Sequence, residues 1–464
     1  MKKLLLIPLL LLSLALDAAT YYVATTGNDG AGGTIGAPWA TWQKGFSTII
    51  AGDTLYIRGG TYQPHGTLNN TSWINWYGGV AVNGKNGTAV DRIVVMNYAS
   101  EVPILDGVNI DEGSGTDARA GIFMRDCEYW TIKGLTVTGV VQIAGQVGVV
   151  GIRIQEDSKH FVLDRIISHD NDGSGISFVY DCDDNLILNC DSYSNIDPLS
   201  STPYNNSDGI EIAEVTSTAA VNTIRGCRVW NNCDDGVDLF DNEGLVIIED
   251  TWAFYNTKPA APSDANGLKL GRTNNTHGIV RRIVTNCISF GNQRDGITTG
   301  GDAYCDMNIY NCISAKNNYG FEFYLTTSAD IGTITMRNCA AYGNVDDFRS
   351  HYAAIIHDYN CYDADFTPAG PVCSAADFVS VDSTELYTAR QADGSLPIVD
   401  FLHLVAGSDL KDAGTMMTGV TDDAEGTQRG YLPDIGAYEI EDIRILTKGG
   451  TACTAGGKIL TVRK

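Results

Sequence analysis

Asp208, Asp234, Asp235 and Asp238 are the residues of this chain whose type and spacing promise chemistry, and Lys269 follows them. Asp208 and Asp235 each stand directly before a glycine and a short apolar alternation, Gly209-Ile210-Glu211-Ile212 and Gly236-Val237-Asp238-Leu239. Asn266 stands the same way before Gly267-Leu268-Lys269-Leu270. If these segments stack, the four carboxylates converge. Like charges so close raise one another's pKa and are costly unless a cation neutralises them. Ca2+ suits the task, because it takes roughly six to eight oxygens, so four carboxylates leave room for waters and for a ligand's own carboxylate. A nearby dication lowers the pKa of Lys269, and a neutral amine there is a general base. Taken singly, each aspartate is more plainly a solvated turn acid; it is the register of all four beside an outward lysine that favours a site.

Stacking is what the rest of the sequence predicts. Asn171, Asn195, Asn232, Asn256, Asn292, Asn317 and Asn344 recur at spacings of 24, 37, 24, 36, 25 and 27 residues. A glycine opening a small strand follows each of the first six: Gly175, Gly209, Gly236, Gly267, Gly296 and Gly320. Strands this short cannot bury a face alone, whereas coils piled on one another can. The predicted fold is all-β, a parallel β-helix with rungs about 4.8 Å apart. Equivalent residues then form columns: an interior aliphatic ladder, an Asn ladder, and aromatics at Tyr193, Trp230, Phe254, Phe290 and Tyr342. Alternate side chains in a strand point oppositely, so Ser177, Glu211, Asp238, Lys269, Thr298 and Glu322 form an outward column. Asp208, Asp235, Asn266 and Asp295 form a second. The two long repeats place their surplus at residues 196–206 and 257–265, which predicts loops walling a cleft over the acidic rungs.

The ends differ from the middle. Residues 1–19, with Lys2 and Lys3 ahead of an apolar run and small residues at Ala18 and Ala19, read as a signal peptide, so secretion is expected. Residues 20–100 form an N-terminal cap and first coils, with a short helix within Ala37 to Ile50 plugging the first coil. Residues 101–365 are the β-helix core with the cleft, 366–440 are loop-rich coils and cap, and 441–464 are an appended hairpin-like tail. A net charge of −25 repels nucleic acid and anionic membranes, and a monomer is expected. Cys190, Cys227, Cys287, Cys312 and Cys339 share one slot of the repeat, where a small buried thiol fits a stack; pairing of Cys227 with Cys233 or of Cys305 with Cys312 stays open. No Cys/His cluster suggests zinc. Asp170 to Asp181 imitates the start of a calcium loop, but Asn171 belongs to the ladder and the segment reads as a solenoid turn.

Ser207-Asp208-Gly209, Gly226-Cys227 through Asp234-Asp235-Gly236-Val237-Asp238-Leu239, Trp252-Ala253-Phe254 and Asn266-Gly267-Leu268-Lys269-Leu270-Gly271 together resemble the ninth family of polysaccharide lyases. The likeness is dense over about residues 160–345 and looser outside them. It departs in the acidic strand Ile210-Glu211-Ile212-Ala213-Glu214, where the family often carries a more basic one, and in a short loop before Asn266. The resemblance implies a right-handed helix. It also implies calcium ligands at Asp208, Asp234, Asp235 and Asp238, a catalytic base at Lys269, and β-elimination on an acidic polysaccharide such as polygalacturonate. Arg272, Arg294 and Lys316 are candidates for binding further carboxylates, though each is also an ordinary surface charge. Two rivals remain. A β-helix glycoside hydrolase would use clustered aspartates as acid and base, but the Asn-Thr-Asp, Gly-His-Gly and Arg-Ile-Lys segments of β-helix galacturonases are absent. A noncatalytic carbohydrate-binding or adhesin solenoid would use the acids only to hold a structural ion.

Overall fold

The computed structural model describes residues 18–70, 75–110, 117–145, 148–259, 264–271, 280–301, 304–324, 331–351, 355–363 and 371–441, with backbone elements between 443 and 463. The proposed signal segment therefore lies outside the described residues, except for Ala18 and Ala19. Among the described residues three long sheets, of 12, 10 and 11 strands, run the length of the molecule. Each central rung gives one strand to each sheet and pairs in parallel with the rung before and after, while the end coils contribute fewer; one antiparallel pair, Thr67–Asn70 with Asn75–Asn83, ends the third sheet. The interior is filled by a continuous column of aliphatic residues and thiols that includes Ile152, Ile176, Ile210, Val237, Leu268 and Ile297.

The expected helix is α1, Trp42–Thr48, capped by the Thr41 hydroxyl accepting from the Lys44 N–H. It buries Trp42 and Phe46, and the Phe46 ring stacks on Trp130 at 5.8 Å. The solenoid's first coil is thereby closed, as an open stack of apolar rungs requires.

The Asn ladder is complete. Each side-chain amide donates to the Oδ1 of the next Asn, from Asn171 to Asn195 at 3.0 Å through to Asn317 to Asn344 at 3.2 Å. That same Oδ1 also accepts from the backbone N–H of the Asn one rung earlier. Asn171 of the calcium-loop look-alike belongs to this ladder. All eleven described cysteines are buried and none of them is in a disulfide, so neither Cys227–Cys233 nor Cys305–Cys312 is bridged.

The aromatic column needs correction. Face-to-face stacking runs through His169, Tyr193, Trp230 and Phe254, but Ala315 lies in register between Phe290 and Tyr342 and breaks it. Phe290 instead meets Phe401, and Tyr342 meets Phe378. Both partners belong to the loop-rich C-terminal segment, which packs its own apolar cluster along the second sheet. Arg228 and Arg390 fasten that segment, converging on the buried Asp191 carboxylate. Beyond it, three antiparallel pairings form the tail, the outermost joining Ile443–Ile445 to Thr461–Arg463.

Candidate active site

The acidic rungs sit on the third sheet. Its register pairs Ser177 with Glu211, Glu211 with Asp238, Asp238 with Lys269, Lys269 with Thr298 and Thr298 with Glu322. Beside this column the carbonyls of Asp208, Asp235, Asn266 and Asp295 each accept the N–H of the glycine one rung earlier. Glycine is required there: a Cβ on Gly236 would lie 2.5 Å from the Gly267 carbonyl oxygen and 2.7 Å from the Asn256 amide. The tight turn is what lets consecutive aspartates approach.

Asp208, Asp234 and Asp235 each offer a carboxylate oxygen within 4.8 Å of the others. Asp208 Oδ1 accepts the Asp235 N–H at 3.0 Å. Asp235 Oδ1 accepts the backbone and side-chain N–H groups of Asn266 at 2.9 and 2.7 Å. Asp238 joins this group through Lys269, whose Nζ donates to Asp235 Oδ2 at 2.8 Å and to Asp238 Oδ2 at 2.9 Å. Lys269 is thus not a free outward lysine: it is 8 % exposed and is the cation of the site.

Burial pushes the Asp208 carboxyl well above the usual range, with Asp238, Asp234, Asp235 and Glu211 adding to the effect. Asp234 is raised in the same way, by burial and then Asp235, against the pull of Lys269. Burial lifts Asp238 to about 7 even though Lys269 draws it down. For Lys269, burial works to lower the pKa, but the four aspartates together hold it well above the ordinary lysine value. One ammonium is too little charge for the cluster. Asp234 Oδ1 and Asp238 Oδ1 are buried and accept no hydrogen bond, and such orphan acceptors are rare without a missing partner. The donor set is all oxygen, which fits a hard divalent cation.

Above these residues lies a cleft of about 510 Å³. Asn205 and Asn206 from one long repeat and Asp264 from the other line it, as the surplus residues predict. Lys258, only 4 % exposed, ties the two loops by donating to Asn205 and lying 3.4 Å from Asp264 Oδ2. The cleft's other lining cation is Arg153. Sequence reasoning missed both. For Arg153 the signal was present, since Gly151-Ile152-Arg153-Ile154 repeats the pattern of Gly209-Ile210-Glu211-Ile212.

The other basic candidates fare differently. Arg272 lies outside the described residues. Arg294 does not line the cleft; it stands 3.5 Å from Asp295 and 3.6 Å from Glu322, a buried carboxyl pair also met by Arg349. Burial and Glu322 raise Asp295 to about 9, and the two arginines supply positive charge to that pair. Lys316 follows the strand Ile313–Ala315 of the second sheet and lies exposed over the Tyr342 ring, away from the acidic rungs.

Known proteins share this plan. Pectate lyase PEL9 of Emericella nidulans is 30 % identical over 425 residues, 85 % of this chain and 95 % of that protein. Pectate lyase L of Dickeya dadantii is 27 % identical over 435 residues, 90 % of each. The crystal structure of pectate lyase Pel9A superposes with a TM-score of 0.70 at 24 % identity, covering 91 % of this chain and 96 % of that one. A parallel β-helix with relatives of this kind is a polysaccharide lyase. The chain belongs to the Pel9A-like family, whose right-handed β-helix region matches residues 21–333.

Proposed function

We propose that the protein is a secreted, calcium-dependent lyase that cleaves pectate or a closely similar polyuronate by β-elimination, with Lys269 as the base. The observation that carries this reading is the placement of Lys269 Nζ against Asp235 and Asp238, in a cleft where Asp208 and Asp234 converge with Asp235. The names of the relatives support the substrate class.

Asp208, Asp234, Asp235 and Asp238 would hold the Ca2+. Bound there, the ion would supply positive charge to the substrate's uronate carboxylate and acidify the adjacent C5 proton. The chain's own contribution is the amine. While the aspartates are unneutralised they keep Lys269 protonated; with their charge offset, the field that holds its proton is gone. Lys269 Nζ then accepts the C5 proton, the C4–C5 double bond forms, and the C4–oxygen bond breaks. Water supplies the proton to the departing oxygen, since among the described residues no side chain of the cleft outside the proposed ion ligands and the base is placed as that acid. A lysine base makes activity rise toward alkaline pH.

The test follows ultraviolet absorbance of the unsaturated product from polygalacturonate, with and without a calcium chelator. Absorbance that appears with calcium and vanishes with the chelator supports the reading. Reducing ends released without absorbance would point to a hydrolase, and retention on the polymer with neither signal to a binding solenoid.

A further inference from the structure

The cleft presents a polyanion with a problem of charge. Asp208, Glu211, Asp234, Asp238 and Asp264 line it, against two cations, and Lys269 is spent on two aspartates. Arg153 is spent only in part, in one ion pair with Glu211. Its Nε donates to Gln155 Oε1 at 3.2 Å, and its Nη1 donates to Ser177 Oγ at 2.8 Å and lies 3.5 Å from Glu211 Oε2. Nη2 makes no hydrogen bond with a described residue. Glu211 pairs with Arg153 through Nη1 alone, and its Oε2 also accepts from the Ser177 hydroxyl, so the ion pair leaves the Nη2 edge of the guanidinium open.

The guanidinium is also held in place. It lies 5.2 Å from the centroid of Trp76 and 5.5 Å from that of Tyr180, and Trp76 is fixed in turn by stacking on Phe123 at 4.9 Å. An arginine ordered by two rings, with one edge open to a cleft, is preorganised for a carboxylate. Its place along the fold is known from the register: Arg153 pairs with Ser177, Ser177 with Glu211, Glu211 with Asp238 and Asp238 with Lys269. Four rung steps separate its backbone from that of the base, about 19 Å along the solenoid axis.

We propose that Arg153 anchors a second uronate carboxylate of the polymer, several sugars from the scissile bond and on the N-terminal side of Lys269. This rests on the lyase reading above and deepens it: the substrate is an extended polyanion laid along the rungs, and chain length is read at Arg153.

The experiment compares the wild type with Arg153→Gln and Arg153→Lys on galacturonate oligomers of increasing length and on polygalacturonate, in calcium. The expected result is a fall of about tenfold in kcat/KM on the polymer for Arg153→Gln, carried mainly by KM. On oligomers too short to reach Arg153 the deficit disappears. Arg153→Lys keeps the charge without the planar fork and falls between. A deficit equal at every length, or none on the polymer, overturns the proposal. Should Arg153→Gln fail to fold by circular dichroism, Arg153→Lys carries the same comparison. Should the wild type form no unsaturated product, the lyase reading fails separately, and retention on immobilised polygalacturonate decides: weaker retention of the variant upholds the Arg153 site, whereas equal retention, or none by either protein, overturns it.

Discussion

The Asn ladder and the acidic turn column lie on the same rungs, are equally buried, and differ by little more than an amide in place of a carboxylate. Asn195, Asn232 and Asn256 each donate and accept along the stack, so every rung satisfies the next. Asp208 and Asp235 offer only acceptors. Stacked, they cannot satisfy one another, and what they gain comes from the Asp235 N–H, the Asn266 amide and the Lys269 ammonium. A neutral ladder closes on itself and stabilises the solenoid. A carboxylate column leaves orphan oxygens and raised pKa values, and so keeps a standing demand for positive charge. Replacing one by the other within a single fold turns a structural device into a site.

The largest break of that contrast is at the cation. Lys269→Ala should lower kcat by a factor of about 10²–10⁴, the usual contribution of a general base, while retention on polygalacturonate persists; turnover near the wild-type rate in the ultraviolet assay would remove the base assignment. Next comes the opposite exchange, Asn256→Asp. The carboxylate loses the donor to Asn292 Oδ1 and places a charge where Asn232 and Asn292 offer no counter-charge. The expected cost is about 2–4 kcal/mol in chemical denaturation, with no recovery on adding calcium, because the ladder has no acidic partners to share an ion.

How much of this could be read from the residues follows from what repeats. Asn171 to Asn344 and the glycines that follow them fix the rungs, and once rungs exist, alternation alone carries Asp238 and Lys269 to one column. What does not repeat was not legible. The ammonium of Lys269 bridging Asp235 and Asp238 depends on side-chain reach rather than on register. Arg153 was overlooked because its rung precedes the first Asn of the ladder, although Gly151 marks it. Lys258 sits in an insertion without periodicity, and the docking of Arg390 on Asp191 joins positions 199 residues apart. Arg294 and Lys316 were legible only as charges: Arg294 precedes Asp295–Thr298 of the third sheet but turns to Asp295 and Glu322, whereas Lys316 follows Ile313–Ala315 of the second sheet.

Asp234→Asn sharpens the comparison by moving the site one step toward the ladder. Its carboxylate makes no compensating hydrogen bond through Oδ1, so the neutral amide should stabilise the ion-free protein by on the order of 1 kcal/mol, one pKa unit of relief being about 1.4 kcal/mol. The rise in Tm on adding calcium should shrink at the same time. A variant less stable without calcium yet equally responsive to it would contradict the account. The same logic gives a pH dependence. The folded pKa of Asp238, about 7, lies above the ordinary carboxyl value of 3.8, and Asp208 and Asp234 are raised too. Between these values the folded state binds more protons than the unfolded state, so ion-free stability should fall as pH rises from about 4 to about 7. Lys269 does not reverse this: its raised pKa contributes fully below 10.5 and is lost only above. Denaturation midpoints in chelator across that window, flat or rising, would show the acids to be otherwise compensated.

The smallest effect is expected at the wall rather than the floor. Lys258 is a buried cation like Lys269, but it meets one carboxylate and one amide, Asp264 and Asn205, and so has no excess of negative charge around it. Its task is to hold two loops together. Lys258→Met removes that tie while keeping the aliphatic stem that fills the space. KM for polygalacturonate should rise about threefold as the wall loosens, a loss comparable to one ordinary hydrogen bond, and kcat should change less, because no atom of Lys258 lines the cleft. A fall confined to kcat would instead place Lys258 in the chemistry, and the distinction between a lysine that closes a loop and one that serves an acidic column would not hold.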